Sequence, residues 1–276
     1  NFSFSDLIVN STNWELLYVE STSFVFITIL AFFLLMFNFL FKVTAAPFHF
    51  WAPSVYGNAP IPTVTFLSIF SKGLIFFLIY KVITLVFHGY FVLFTPFFLF
   101  CSVLSIFFGM IGAFTETVVK RFFVYSSMSH VGFILIGLAF FSLEGAYATF
   151  HYLPVYILSS FMMWFTLLHF GKENTHLIHF NSLRKSYLFL ALLFAFLVFS
   201  ISGIPPLGGF FVKLDVMFIL LENHKFYLNY ILFIFTVASF YYYLRILKIM
   251  FFDTVETFEY KFYKSNIRLW LISIFF

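Results

Sequence analysis

Residues 199–215 read FSISGIPPLGGFFVKLD, set within one of the most apolar parts of the chain. Proline removes a backbone donor and clashes with the preceding turn, so Pro205 and Pro206 stop a helix. Only about fourteen apolar residues, FLALLFAFLVFSIS, precede the stop, too few for a full membrane crossing of roughly 20 residues. The break therefore falls at membrane depth. Backbone freed there is tolerated only where it is buried in protein or lines a watery cavity. Lys213 follows the break closely. Asp215 is only two residues further on, so the two side chains point in different directions on a helix and form no local pair.

The rest of the chain is consistent with a lipid solvent. Its 276 residues are 63% hydrophobic and 9% charged, with a mean hydropathy of +1.03, where a water-soluble domain carries about 25% charged residues. The single cysteine, Cys101, excludes a disulfide framework and a cysteine-based metal site. There is no GxGxxG, no P-loop and no metal-ligand spacing, so neither a metal centre nor a redox cofactor is expected in this chain. The net charge of +4 would suit nucleic acid, but the basic residues sit between apolar runs and read as topology signals. No nucleic-acid partner is expected. Phenylalanine contributes 51 residues, a bias that an AT-rich organellar genome would impose. No charged n-region or cleavage site precedes the first apolar run, so no signal peptide is read.

Apolar runs predict helices near 22–43, 61–87, 91–114, 120–141, 147–170, 187–222 and 227–252, with another starting at 267–276. The fold class is an all-α polytopic membrane bundle of about seven or eight spans, because helices satisfy their own backbone in lipid. Residues 1–21 read as an interfacial or extramembrane lead-in, and 253–276 as a loop with the start of a terminal helix. If spans alternate, Lys120, Arg121, Lys172, Arg184, Lys185, Lys261, Lys264 and Arg268 share one side. Lys225, Lys81, Asp6, Glu15, Glu20 and Glu144 share the other. Excess Lys and Arg place the first side inward.

A second interruption, FKVTAAPFHFWAPSVYGNAPIP, begins at Phe41 and contains Pro47. Paired Pro/Gly interruptions are a pointer to inverted repeats with a site near the bilayer midplane. Ionisable residues at that depth cost about 2.5–3.5 kcal/mol on insertion scales and are usually functional. Lys72 lies about ten residues into its helix, too deep for its stem to snorkel easily. Lys42 borders the first break, where the uncharged TAAPFHFW suggests a protein interior. Lys213 borders the second. Lys81 and Lys248 lie near helix ends, where snorkelling suffices. His130 sits inside its helix above Tyr125, Ser126 and Ser127, all possible path-lining groups, and histidine exchanges protons near neutral pH. His49 is a weaker candidate that would tie the broken segment to its neighbours. No carboxylate occupies a comparable depth: Glu116 and Glu144 read as loop residues and Glu222 as a helix end. A row of buried lysines lacks an acid to recharge it, so part of the mechanism would lie outside the chain.

Four blocks carry a family resemblance: FKVTAAPFHFWAPSVYGNAPIPTVTFLSIFSKG, KRFFVYSSMSHVGF, SISGIPPLGGFFVKLDV and VASFYYYLRILKIMFF. Together, in this order, they resemble chain 2 (bacterial subunit N) of NADH–quinone oxidoreductase, respiratory complex I. Ser54 stands where the family usually has an acid, and Asn58 departs nearby. The resemblance implies an antiporter-like fold of two inverted repeats, each with one broken helix. Residues 22–87 would end the first repeat and 88–252 would form the second. It implies proton translocation through Lys42, Lys72 and Lys213, with His130 bridging. It also implies that NADH, FMN, iron–sulfur clusters and ubiquinone belong to other subunits.

The family's earlier helices, with a channel glutamate facing the Lys42 position, are not in this sequence, so a separate chain is expected to supply them. Other membrane-arm subunits and lipids are the expected partners. The expected location is the mitochondrial inner membrane, with a bacterial-type plasma membrane as the alternative. Two other functions stay open: a cation/proton antiporter subunit of Mrp type, and a non-conducting structural subunit.

Overall fold

The computed structural model describes residues 22–87, 91–170, 176–180, 188–205 and 207–252. The expected lead-in 1–21, the terminal segment 253–276, Pro206 and the loop cations Lys172, Arg184, Lys185, Lys261, Lys264 and Arg268 lie outside the described residues. The architecture is all-helical, with α1 Thr22–Val43, α2 Ala52–Asn58, α3 Ile61–Val86, α4 Phe91–Thr115, α5 Val119–Ala139 and α6 Leu143–Phe170. Then come α7 Leu188–Ser202, α8 Gly208–Glu222 and α9 Phe226–Phe251. Six of these are long and apolar enough to cross a membrane. Each predicted run that falls within the described residues forms helix. The start of α6 lies four residues earlier than expected, which brings Glu144 into its first turn.

Among the six spans α5 is the central one, with 89% of its length buried against half or less for the others. Its polar residues therefore face protein, not lipid. Glycines bring it against α4: a Cβ on Gly132 would strike the Ser102 carbonyl and Ile106, and one on Gly109 would strike the Tyr125 carbonyl and Ser129. Small residues of this kind let two backbones approach in a bilayer, where hydrophobicity alone does not draw helices together.

The two interruptions end in the same way. At the second, Gly203 adopts φ +89°, its N–H donates to the Ser200 carbonyl at 3.1 Å, and the Ile204 N–H reaches the Phe199 carbonyl at 3.3 Å. That is the Schellman closure of a helix C-terminus, which calls for a left-handed residue. At the first, the same pair of bonds runs from Thr44 to Phe41 and from Ala45 to Leu40, with φ +66° on Thr44. The Trp51 indole N–H donates to the Phe41 carbonyl at 3.1 Å, and Ser105 of α4 accepts from the Ala46 N–H at 2.9 Å. Backbone freed by the break is thereby satisfied inside the protein, as membrane depth requires.

Helices continue through Pro96 and Pro154, which sit inside α4 and α6. The loops expected on one side do meet. Val118 bridges to His176, the Leu177 N–H donates to the Thr117 carbonyl, and Arg245 near the end of α9 donates to the Phe114 carbonyl at 2.7 Å. Lys120, expected at the inward end of the 120–141 helix, is a buried residue of α5 whose Nζ donates to the Ala59 carbonyl at 2.9 Å. It ties the end of α2 to the start of α5.

Candidate functional site

Lys72 is fully buried. The turn before it, Leu67–Ser71, is a π-helical segment within α3, and such single wide turns occur often at functional sites. The extra residue in that turn resets the direction of everything after it. Lys72 Nζ donates to Ser127 Oγ on α5 at 2.9 Å, while the Ser127 hydroxyl donates to the Val124 carbonyl at 2.7 Å. The serine therefore offers the lysine an oxygen lone pair and keeps its own proton on the backbone.

His130 lies one turn further along α5, buried, with both ring nitrogens engaged. Nδ1 is 2.8 Å from the Tyr152 hydroxyl on α6, and Nε2 is 3.0 Å from the Tyr243 hydroxyl on α9. The Tyr243 hydroxyl also hydrogen-bonds Ser126. The ring of Tyr156 packs beside the imidazole at 5.8 Å between centroids.

Lys213 is buried on α8, and its Nζ donates to the Ser202 carbonyl at the end of α7 at 2.8 Å. A cation at a helix C-terminus meets the negative end of the helix dipole. The same ammonium lies 5.6 Å above the Phe133 ring, whose other neighbour is Tyr152, stacked at 6.2 Å. The structure thus brings Lys72, His130 and Lys213 around α5. Hydroxyl, imidazole and amine groups of this kind can take up, pass and release protons.

The remaining candidates divide. Ser126 and Ser127 join the network. Tyr125 does not: its ring lies against α4 where a Cβ on Gly112 would collide with it. Lys42, expected in a protein interior, is exposed at the end of α1 and makes no hydrogen bond or ion pair among the described residues. The broken backbone beside it, Thr44–Ala46, is buried. His49 is buried between Phe50 and Phe108. Its Nδ1 has no hydrogen-bond partner, so it does not tie the segment by that atom. Asp215 avoids Lys213, as the helical spacing required, and pairs with His151 of α6 at 2.6 Å.

Sequence reasoning missed Tyr152 and Tyr243. YYYLR showed three tyrosines in a row but not which of them turns inward, and Tyr152 looked like one aromatic among many. The π turn left no sequence signal. Among the described residues no group of three or more His, Cys, Asp or Glu could hold a metal ion.

A helical bundle with two broken segments and a buried lysine–histidine–lysine arrangement defines a class, the antiporter-like membrane subunits. The profile of the family described as NADH:quinone oxidoreductase/Mrp antiporter, TM, matches residues 7–240, and the chain belongs to that family. It is 36% identical over 221 residues to NADH-ubiquinone oxidoreductase chain 2 of Oenothera berteroana, covering 80% of this chain and 45% of that one. It is 35% identical over 223 residues to NADH-quinone oxidoreductase subunit N of Paramagnetospirillum magneticum, covering 79% and 46%. The chain spans about half the length of the curated relatives it matches.

Two solved structures share the fold. A chain of the Mrp complex from Dietzia has a TM-score of 0.76 at 21% identity, covering 84% of this chain and 43% of that one. A chain of respiratory complex I from Thermus thermophilus with bound aureothin has a TM-score of 0.70 at 23% identity, covering 86% and 52%.

Proposed function

We propose that this chain acts in the membrane arm of respiratory complex I, moving protons along Lys72, His130 and Lys213 while quinone is reduced in other subunits. The observation that carries this reading is the burial of two lysines on either side of a histidine. Neither lysine has a carboxylate partner among its described hydrogen bonds. An unpaired charge held in a bilayer interior is costly and is kept for a task. The likeness to subunit N and chain 2 favours complex I over a stand-alone antiporter. The matching Schellman closures at Thr44 and Gly203 support assigning 22–87 to the end of one repeat and 88–252 to a second.

Lys42 extends the path in this proposal. It stands exposed on a face that also exposes Leu34, Leu35, Phe37 and Phe41. A lysine there would be costly against lipid, so further membrane helices cover this face and bring the acid that recharges the row. NADH, FMN, iron–sulfur clusters and ubiquinone would act in companion subunits, and the membrane would be the mitochondrial inner membrane.

The test is proton translocation by the assembled complex in sealed vesicles with Lys72→Met or Lys213→Met. NADH oxidation by a water-soluble acceptor is expected to persist while proton pumping falls. Full pumping with both replaced would end the proposal.

A further inference from the structure

His130 has no free nitrogen. Both are held by buried tyrosine hydroxyls from two other helices, and one of those hydroxyls continues to Ser126. Ser126, His130, Tyr152 and Tyr243 are each at most 6% exposed. A neutral imidazole donates at one nitrogen and accepts at the other, so the two tyrosines cannot play the same role. If the Tyr243 hydroxyl donates to Nε2, then Ser126 donates to Tyr243 and Nδ1–H donates to Tyr152. If Tyr152 donates to Nδ1, every bond in the string points the other way. Ser126 is free to take either role because, among the described residues, its hydroxyl bonds only to Tyr243, whereas the Ser127 proton is committed to Val124.

Each end of the string is linked to one lysine through a shared neighbour. Ser126 is the neighbour of the serine that holds Lys72, and Tyr152 shares the Phe133 ring with Lys213.

We propose that Tyr152 and Tyr243 are hydroxyl carriers on either side of His130, forming with Ser126 a polarised wire that passes one proton and then resets only by breaking a tyrosine–histidine bond. The inference rests on the proton path proposed above. The proton balance is as follows. A proton arrives on the Ser126 oxygen, and the original serine proton moves to the Tyr243 oxygen. The Tyr243 proton moves to Nε2, the Nδ1 proton moves to the Tyr152 oxygen, and the Tyr152 proton passes to Lys213 in a cycle stage where that residue is the neutral amine, which becomes the ammonium. One proton has entered, one has left, and no group of the wire carries a net charge afterwards. Every donor now points backward, so a second proton cannot follow in the same direction. Restoring Nδ1–H requires the imidazole to let go of a tyrosine. The wire therefore admits one proton in that direction per rearrangement of the packing around His130.

The experiment uses the assembled complex in sealed vesicles with Tyr152→Phe, Tyr243→Phe and, as a control, Tyr80→Phe. Tyr80 packs on Phe150 at 4.9 Å, outside the network. Each phenylalanine keeps the ring and removes the hydroxyl. Tyr152→Phe and Tyr243→Phe are expected to slow the proton-coupled step about a hundredfold or more, the lower end of the range for a lost proton-transfer group, with assembly intact. Tyr80→Phe is expected to pump normally. Replacing Tyr243 by a fluorinated tyrosine, of the same shape but with a more acidic hydroxyl, is expected to shift the pH profile of pumping.

Normal pumping in both Tyr→Phe variants, with loss in Lys72→Met, would overturn the wire and leave the functional reading standing. Loss of pumping that follows loss of assembly, with no shift from the fluorinated residue, marks the tyrosines as packing groups and also overturns it. Full pumping in Lys72→Met and Lys213→Met would instead remove the functional reading itself.

Discussion

Lys72 of α3 is joined to Ser127 of α5 by a 2.9 Å hydrogen bond, and the serine spends its own proton on the helix backbone. The hydroxyl is thus an acceptor for the lysine. Ser127→Ala would leave a buried donor with no partner, at a cost of about 1–3 kcal/mol. Thermal unfolding of the purified complex should show a lower midpoint for this subunit, and proton pumping should fall with it. Unchanged stability and pumping would mean that Lys72 finds another acceptor.

Gly203 holds the second break open for Lys213. Its φ of +89° suits glycine, and a Cβ there would come within 3.1 Å of the Lys213 side chain. Gly203→Ala should cost about 1–2 kcal/mol from the left-handed backbone and, by crowding Lys213, reduce pumping further than stability alone explains. The check is pumping per assembled complex, so that lost assembly is divided out.

Thr44 performs the same turn with a β-branched side chain, at φ +66°, and its Oγ1 is buried without a partner. Left-handed backbone is unfavourable for such a residue, so Thr44→Gly should be neutral or stabilising by up to about 1 kcal/mol, a sign opposite to the usual effect of inserting glycine. A clear loss of stability would show that the hydroxyl has a partner in the full assembly that outweighs the backbone strain.

Gly132→Val should prevent α4 and α5 from meeting, because the added side chain would strike the Ser102 carbonyl and Ile106. Overpacking a closed interface costs about 1–3 kcal/mol or more. Native electrophoresis of the membrane fraction should show less assembled complex, and a second-site reduction of Ile106 to alanine should recover part of it.

Much of this was legible in the residues. Long apolar runs had to become helices because lipid offers backbone groups no other partner. Prolines beside glycines had to break them, and lysines at membrane depth had to be enclosed. Lys72 and Lys213 are buried as their positions required. The spacing of Lys213 and Asp215 correctly separated them, though nothing in the sequence named His151 as the partner of Asp215.

The tertiary structure alone decided which side chains meet. A helix in lipid is apolar on its inner and outer faces alike, so periodicity does not mark the face that looks inward. That is why Tyr152 and Tyr243 could not be told from the other tyrosines, and why Tyr125 looked as suitable as Ser126. The π turn before Lys72 is a backbone event with no residue signature of its own. Lys42 marks the reach of one chain: the break beside it is buried, while the lysine stands exposed on a face of α1 that, in the proposal above, further helices cover.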